Sequence, residues 1–267
     1  MRRPRLQRVL VALPFLVTAA VTPPLVGPAR VGDPGGGGDD ELVAEGRELY
    51  ATGCSSCHGP EGRGVVEDGD ERGPSLENAG KAAAYYYLST GRMPLANSEE
   101  QPKRKEPAYS REEIEALVAY VGTLGDGPEV PDVHPDAGDL ALGGEVFRAN
   151  CQACHSASGS GGALSYGQAA PRLTSATPKQ IASAVRVGPG EMPVFGRDVI
   201  DSEELNGLVR YVLDLDHPDD PGGLPIGRTG PIPEGFVAWL VGMVALLGLV
   251  AWIGTRDPIR RTGGGER

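Results

Sequence analysis

Cysteine, histidine and methionine are scarce in this chain, four of each in 267 residues, and the scarcity makes their placement informative. No cysteine is spare: Cys54, Cys57, Cys151 and Cys154 fall in two identical frames, each followed at once by a histidine. An excess of positive charge is also lacking, and the formal net charge of −11 argues against a nucleic-acid partner. No convincing alternation of apolar and polar residues marks a strand, so an all-α fold is expected. Glycine and proline are plentiful instead, 40 and 24 residues, so much of the chain should be loop. Hydrophobic residues at 40% suffice for ordinary cores.

The charge is unevenly placed. Between positions 31 and 255 stand 16 basic and 34 acidic residues, a balance of about −18, while both ends are basic. The start runs from four arginines into an apolar stretch, Val9 to Val26, broken by Pro14, Pro23 and Pro24. It reads as an export signal. Val17-Thr18-Ala19 is a poor cleavage site, so a retained anchor is expected and a cleaved signal peptide is the alternative. At the other end, Phe236 to Gly254 is 19 residues without a charge, a spanning length for a helix rising about 1.5 Å per residue. Trp239 and Trp252 lie near its two ends, and Arg256, Arg260 and Arg261 follow. The basic flanks put both termini in the cytoplasm and the acidic middle outside.

The middle is a repeat. Gly46 to His58 answers Gly143 to His155 at an offset of 97, and Pro74-Ser75-Leu76 answers Pro171-Arg172-Leu173. Met93-Pro94 answers Met192-Pro193 at 99, and Ser110 to Val121 answers Asp201 to Val212 at 91. The shorter last offset reflects extra residues in copy one, Asn97 to Ala108, with Lys103, Arg104 and Lys105 among them. Each copy should open with a helix, on which Gly46 and Tyr50, or Gly143 and Phe147, share a face. Each should carry a middle helix (81–88; 178–187 with Thr177 as cap) and end on a capped one. Ser110 with Glu113, and Asp201 with Glu204, have capping-box spacing. Apolar residues then recur at Ile114, Leu117, Val118 and Val121, and at Leu205, Leu208, Val209 and Val212, the stripe of a half-buried helix. Where the outer helices cross, Gly46 and Tyr50 should meet Tyr120, and Gly143 and Phe147 should meet Tyr211. The expected domains are 39–126 and 139–216. A segment 1–38 precedes them, linkers 127–138 and 217–233 follow each, a membrane helix covers 234–255, and a cytoplasmic tail covers 256–267.

Cys-x-x-Cys-His is the frame in which two thiols add to the vinyl groups of a haem and the histidine reaches its iron. Chance produces one such frame in a chain of this composition roughly once in a thousand. Two covalently bound haem c groups are expected, on Cys54 and Cys57 with His58, and on Cys151 and Cys154 with His155. The rivals are weaker. A zinc site from two cysteine pairs wants them closer in sequence, a thioredoxin-like dithiol wants a βαβ unit, and disulfides leave the histidines unexplained. Apart from the initiator and Met243 in the apolar stretch, the only methionines are Met93 and Met192, 35 and 37 residues after the histidines. One per copy at matching places marks them as the sixth ligands. His134 and His217 compete but lie outside the repeats. Histidine–methionine ligation raises the potential and leaves no open position, which favours electron transfer over peroxide chemistry.

Pro74 and Pro171 each lie 16 residues after their histidine. In this the copies resemble class I cytochromes c, in which such a proline offers its carbonyl to the histidine's other ring nitrogen. The whole chain resembles, over roughly residues 42 to 256, the dihaem cytochrome c subunit of the actinobacterial menaquinol–cytochrome c reductase, the cytochrome bcc complex. The stretches that carry this are Gly73-Pro-Ser-Leu76, Ser89-Thr-Gly-Arg-Met93-Pro94, Gly161-Gly-Ala-Leu164-Ser165, Ala170-Pro-Arg-Leu173 and Gly188-Pro189 before Met192-Pro193. Most diagnostic are Pro231-x-Pro233-Glu234-Gly235, Trp239, Gly242-Met243 and Ala251-Trp-Ile-Gly254. The resemblance implies two tandem class I cytochrome c domains, with cytochrome b and Rieske iron–sulfur subunits and a haem-copper oxidase as partners. It also implies no quinol site in this chain. By the family's order the second domain faces the Rieske protein and the first the oxidase. A stand-alone tethered carrier, a cytochrome subunit of a periplasmic dehydrogenase and a dihaem peroxidase are the alternatives.

Overall fold

The computed structural model describes residues 37–96, 101–216 and 231–256. The expected N-terminal signal or anchor, and His217, lie outside these residues. Each copy folds with the same element order. Copy one comprises α1 (Gly37–Gly53), α2 (Ser55–His58), the hairpin β1 (Val65–Glu67) and β2 (Asp70–Gly73), α3 (Gly80–Ser89) and α4 (Arg111–Val121). Copy two comprises α5 (Leu140–Asn150), α6 (Gln152–His155), the hairpin β3 (Gly162–Ala163) and β4 (Ala169–Ala170), α7 (Pro178–Val187) and α8 (Ser202–Asp216). The fold is mostly helical, as expected. The two small antiparallel hairpins are additions that strands of two to four residues are too short to announce by alternation.

The caps act as their spacing implies. Ser110 Oγ accepts from Glu113 N at 3.2 Å, and Glu113 Oε2 accepts from Ser110 N at 2.7 Å. In α8 Asp201 Oδ1 accepts from the backbone of Glu203 and Glu204, and Glu204 returns the bond to Asp201 N. Thr177 and Gln180 box the start of α7, with Pro178 at its first position. Its end falls on Gly188, left-handed at φ 62°, where a Cβ would be strained.

The opening and closing helices of each copy cross on glycine. A Cβ on Gly46 would collide with the Ala116 carbonyl and the Tyr120 side chain. One on Gly143 would collide with the Gly207 backbone. This close approach stacks Tyr50 on Tyr120 (ring centroids 5.1 Å apart) and Phe147 on Tyr211 (5.3 Å), the pairs expected at the crossings. Two separate apolar cores result, one around Tyr50, Ile114 and Leu117, the other around Phe147, Leu208 and Val209.

The segment expected to be a plain linker between the copies is packed against both. Ala82 N donates to the Pro128 carbonyl at 2.9 Å, and Gly127 lies against Gly80. Further on, His134 N donates to Asn206 Oδ1 at 2.8 Å, and Pro135–Ala137 forms a 3-10 turn. The copies also touch each other directly through α3 and α7. Gln180, almost fully buried, is the hub. Its amide donates to the Ser89 carbonyl and hydroxyl at 3.0 and 3.2 Å, while its Oε1 accepts from Arg104 at 2.9 Å. Gln101 pairs in both directions with the Ala169 backbone. The copy-one insertion is therefore an interdomain brace.

After residues 217–230, α9 runs from Pro231 to Arg256. Within it, Gly235–Thr255 is 21 residues with a mean hydropathy of 2.4, long and apolar enough to cross a membrane. Many of its large side chains, among them Phe236, Trp239 and Leu246, are more than half exposed, as on a lipid-facing helix.

Candidate functional site

Each Cys-x-x-Cys-His frame sits where the opening helix ends. Cys54 N still donates to the Tyr50 carbonyl at 2.9 Å, and His58 N donates to the Cys54 carbonyl at 3.0 Å. One helical turn thus carries both thiols and the imidazole. Copy two repeats the geometry at Cys151 and His155, at 2.8 and 2.9 Å. None of the four cysteines is in a disulfide. Burial, with a smaller contribution from the neighbouring cysteine, pushes the Cys54 and Cys151 thiols up to about 11.

The hairpin that follows turns the chain back onto the histidine. Gly64 N donates to the His58 carbonyl, and Leu76 N donates to the Gly62 carbonyl. Gly161 with His155, and Leu173 with Gly159, repeat these bonds. The return leaves no room at the hairpin's edge: a Cβ on Gly73 would meet the Cys57 carbonyl at 2.7 Å, and one on Gly162 the Cys154 carbonyl at 2.8 Å. It brings the Pro74 carbonyl to His58 Nδ1 at 2.8 Å and the Pro171 carbonyl to His155 Nδ1 at 3.0 Å. A carbonyl only accepts, so Nδ1 is the donor in both rings, and Nε2 is the nitrogen left for a ligand. Burial lowers the pKa of His155, which the Pro171 bond partly offsets.

In copy two the predicted residues converge. Cys151, Cys154, His155, Pro171 and Met192 line one cavity of about 420 Å³. The loop bearing Met192 is fixed from behind, where Phe195 N donates to the Val185 carbonyl at 3.0 Å. Buried Arg186 donates through Nη1 to the carbonyls of Phe195, Gly196 and Ile200, at 2.8, 3.0 and 2.8 Å. In copy one the loop bearing Met93 is held by the insertion, where Lys105 Nζ donates to the Pro94 carbonyl at 2.8 Å and Lys105 N to the Thr90 carbonyl at 3.2 Å. In copy one, Met93 and Cys54 pack on the same core, while His58 is tied to Pro74. His134 stands apart, exposed and 3.3 Å from Asp132. Among the described residues no group of three or more His, Cys, Asp or Glu side chains gathers as a zinc site needs.

Sequence reasoning missed who else lines the second cavity. Tyr86, Tyr87, Arg92, Lys103 and Arg104 of copy one stand around it with the residues of copy two. The polar, basic character of the insertion was the one available signal, and it pointed to an outer surface.

Two helical domains, each ending its first helix in a thiol pair beside a proline-anchored imidazole, define a tandem cytochrome c, an electron-transfer protein with two haem-binding domains. Comparison with known proteins agrees domain by domain. Residues 43–125 match the cytochrome c family model, and residues 138–212 match that of cytochrome c oxidase, cbb3-type, subunit III. The cytochrome bc1 complex cytochrome c subunit of Mycobacterium tuberculosis is 42% identical over 225 residues, which is 81% of this chain and 79% of the relative. That of Mycobacterium leprae is 41% identical (80% and 76%), and that of Corynebacterium diphtheriae 36% (82% and 83%). The chain belongs to the family of cytochrome c subunits of the cytochrome bc1 complex.

Proposed function

We propose that this chain is the membrane-anchored dihaem subunit of a menaquinol–cytochrome c reductase, carrying electrons from the Rieske iron–sulfur protein to a haem-copper oxidase. The observation that carries this reading is the duplicated histidine–proline pair, which frees one imidazole nitrogen in each domain, beside a methionine placed once per domain. In this reading Cys54 and Cys57 bind one haem c covalently, and Cys151 and Cys154 bind the other. His58 with Met93, and His155 with Met192, would ligate the haem iron, and Pro74 and Pro171 would orient the histidines. Bound haem supplies a reversible one-electron iron couple. The protein's part is to hold both axial positions, keep water from the iron and bring the two sites together through α3 and α7. With both positions filled, a peroxidase reaction has no coordination site.

The C-terminal helix anchors the chain. Arg256, Arg260 and Arg261 beyond its apolar span set the C-terminus in the cytoplasm and the acidic haem domains outside, and a retained N-terminal segment makes the subunit two-pass. The second domain, nearest the anchor in sequence, takes electrons from the Rieske protein, and the first passes them to the oxidase.

Purification through a tag on this chain from mild detergent tests the assignment. Cytochrome b and the Rieske protein should co-purify, and menaquinol should reduce both haems. A haem-bearing chain recovered without them is the stand-alone carrier. Attachment is tested separately. Cys57→Ala should weaken the haem stain of one site on a denaturing gel, and Cys154→Ala that of the other. A wild-type chain that gives no stain at all refutes covalent attachment.

A further inference from the structure

The second cavity has an electrostatic imbalance that the ligand set does not explain. Four cations line it, Arg92, Lys103 and Arg104 of copy one and Arg172 of copy two, against one acid, Glu191. Arg92 is only 7% exposed, and its Nη1 is buried without a hydrogen-bond partner. Its guanidinium lies 4.9 Å from the centre of the Tyr86 ring, which holds it in place without satisfying that nitrogen. Arg104 stands at the rim, one nitrogen held by Gln180. Burial pulls its pKa down, and Arg92 adds to the effect, so the two guanidinium groups are close enough to repel. Neither is among the ion pairs of the described residues. A buried guanidinium nitrogen without an acceptor is costly, and two adjacent guanidiniums ask for an anion with more than one acceptor oxygen.

We infer that Arg92 and Arg104 of the first domain bind a propionate carboxylate of the haem held by the second domain. The inference rests on the haem assignment proposed above. Haem brings its own carboxylates into a cavity whose cysteines, histidine and methionine all come from copy two. The cavity is otherwise mostly apolar, and Arg92 and Arg104 are among the residues that line it. Guanidinium pairs with carboxylate in two parallel hydrogen bonds, which a lysine cannot reproduce. The second haem site is thereby composite. One domain supplies the attachment and the iron ligands, and the other adds two guanidinium groups for the propionate. This gives the copy-one insertion a purpose, since Gln101 and Arg104 lock it onto copy two at the cavity's edge.

Redox titration of each haem in the purified complex tests this. The second haem is identified as the one whose potential moves in a Met192→His variant. Positive charge on the propionate favours the reduced iron. In Arg104→Gln the reduced-to-oxidised ratio of the second haem at a fixed ambient potential should fall about tenfold, ~59 mV for a one-electron couple. Arg92→Gln should act in the same direction, and the first haem should stay within twofold in Arg104→Gln. Arg104→Lys should recover part of the shift. Gln180→Ala loosens the same interface without removing charge and should shift the second haem far less than Arg104→Gln. Retention of both haems and of the near-infrared methionine-to-iron band shows that a variant is folded. An unmoved second haem in folded Arg104→Gln and Arg92→Gln overturns the inference, as does a shift confined to the first haem or one that Gln180→Ala reproduces. Absence of haem from the wild-type second domain overturns instead the assignment on which it rests.

Discussion

Replacement of Met192 by histidine is expected to lower the midpoint potential of the second haem by on the order of hundreds of millivolts, within the ~0.8 V range that axial ligands command. A thioether is a soft ligand that favours ferrous iron, whereas a second imidazole favours ferric iron. The loop behind Met192 is held by the Val185–Phe195 bond and by Arg186 on three carbonyls, so the exchange should alter the ligand and leave its scaffold in place. Met93→His should act on the first haem and leave the second nearly unchanged. Redox titration measures the potentials, and the sulfur-to-iron band of the oxidised protein reports the ligand directly. A double variant that keeps the band refutes the methionine assignment. The same pair of variants orders the relay. With the second domain as entry, Met192→His should slow menaquinol reduction of both haems. Met93→His should leave the second haem rapidly reducible while delivery to the oxidase slows. The opposite pattern places entry at the first domain.

Gly143→Val should unfold the second domain, a loss of more than about 4 kcal/mol, which marks an exceptional site. A Cβ at Gly143 would fall inside the Gly207 backbone and stand 2.9 Å from Leu208 N. The obstacle is the peptide chain of α8, not the end of a flexible side chain, so relief requires the helices to separate. Separation would break the Phe147–Tyr211 pair and open the core around Leu208 and Val209. Gly46→Leu should do the same to the first domain through Ala116. Gly38→Ala is the control: nothing lies within 4 Å of its Cβ position, and the change should be neutral or stabilising by up to about 1 kcal/mol. Thermal unfolding followed by circular dichroism measures both. Equal melting of Gly143→Val and Gly38→Ala would show that the crossing is not tight.

The crossing also shows how far the sequence could be read. Gly46 and Gly143 stood out because each lies one turn before an aromatic residue on an amphipathic helix. Gly207, on which Gly143 rests, did not. Copy one has Ala116 at the matching place, and a glycine inside a helix reads as a weakness until a neighbour is seen against it. The hairpins escaped notice because two to four residues give no period. The segment 127–138 read as a free linker because its glycines and prolines do not show that Pro128 and His134 make backbone bonds to opposite copies.

By itself the sequence determined the two thiol–histidine frames, the histidine–proline spacing, the capped helices and the apolar C-terminal span. All are local matters: a turn of helix, a side chain reaching its own backbone, or a run of residues long enough for a membrane. The tertiary structure alone decided that the copies dock through α3 and α7, and that the insertion is a brace. It also decided that Arg92 and Arg104 of one domain stand at the cavity of the other. Those contacts join residues far apart in the chain, such as Arg104 and Gln180, and depend on how two finished surfaces fit. No spacing or period in the chain encodes that fit, because it exists only once both domains have folded.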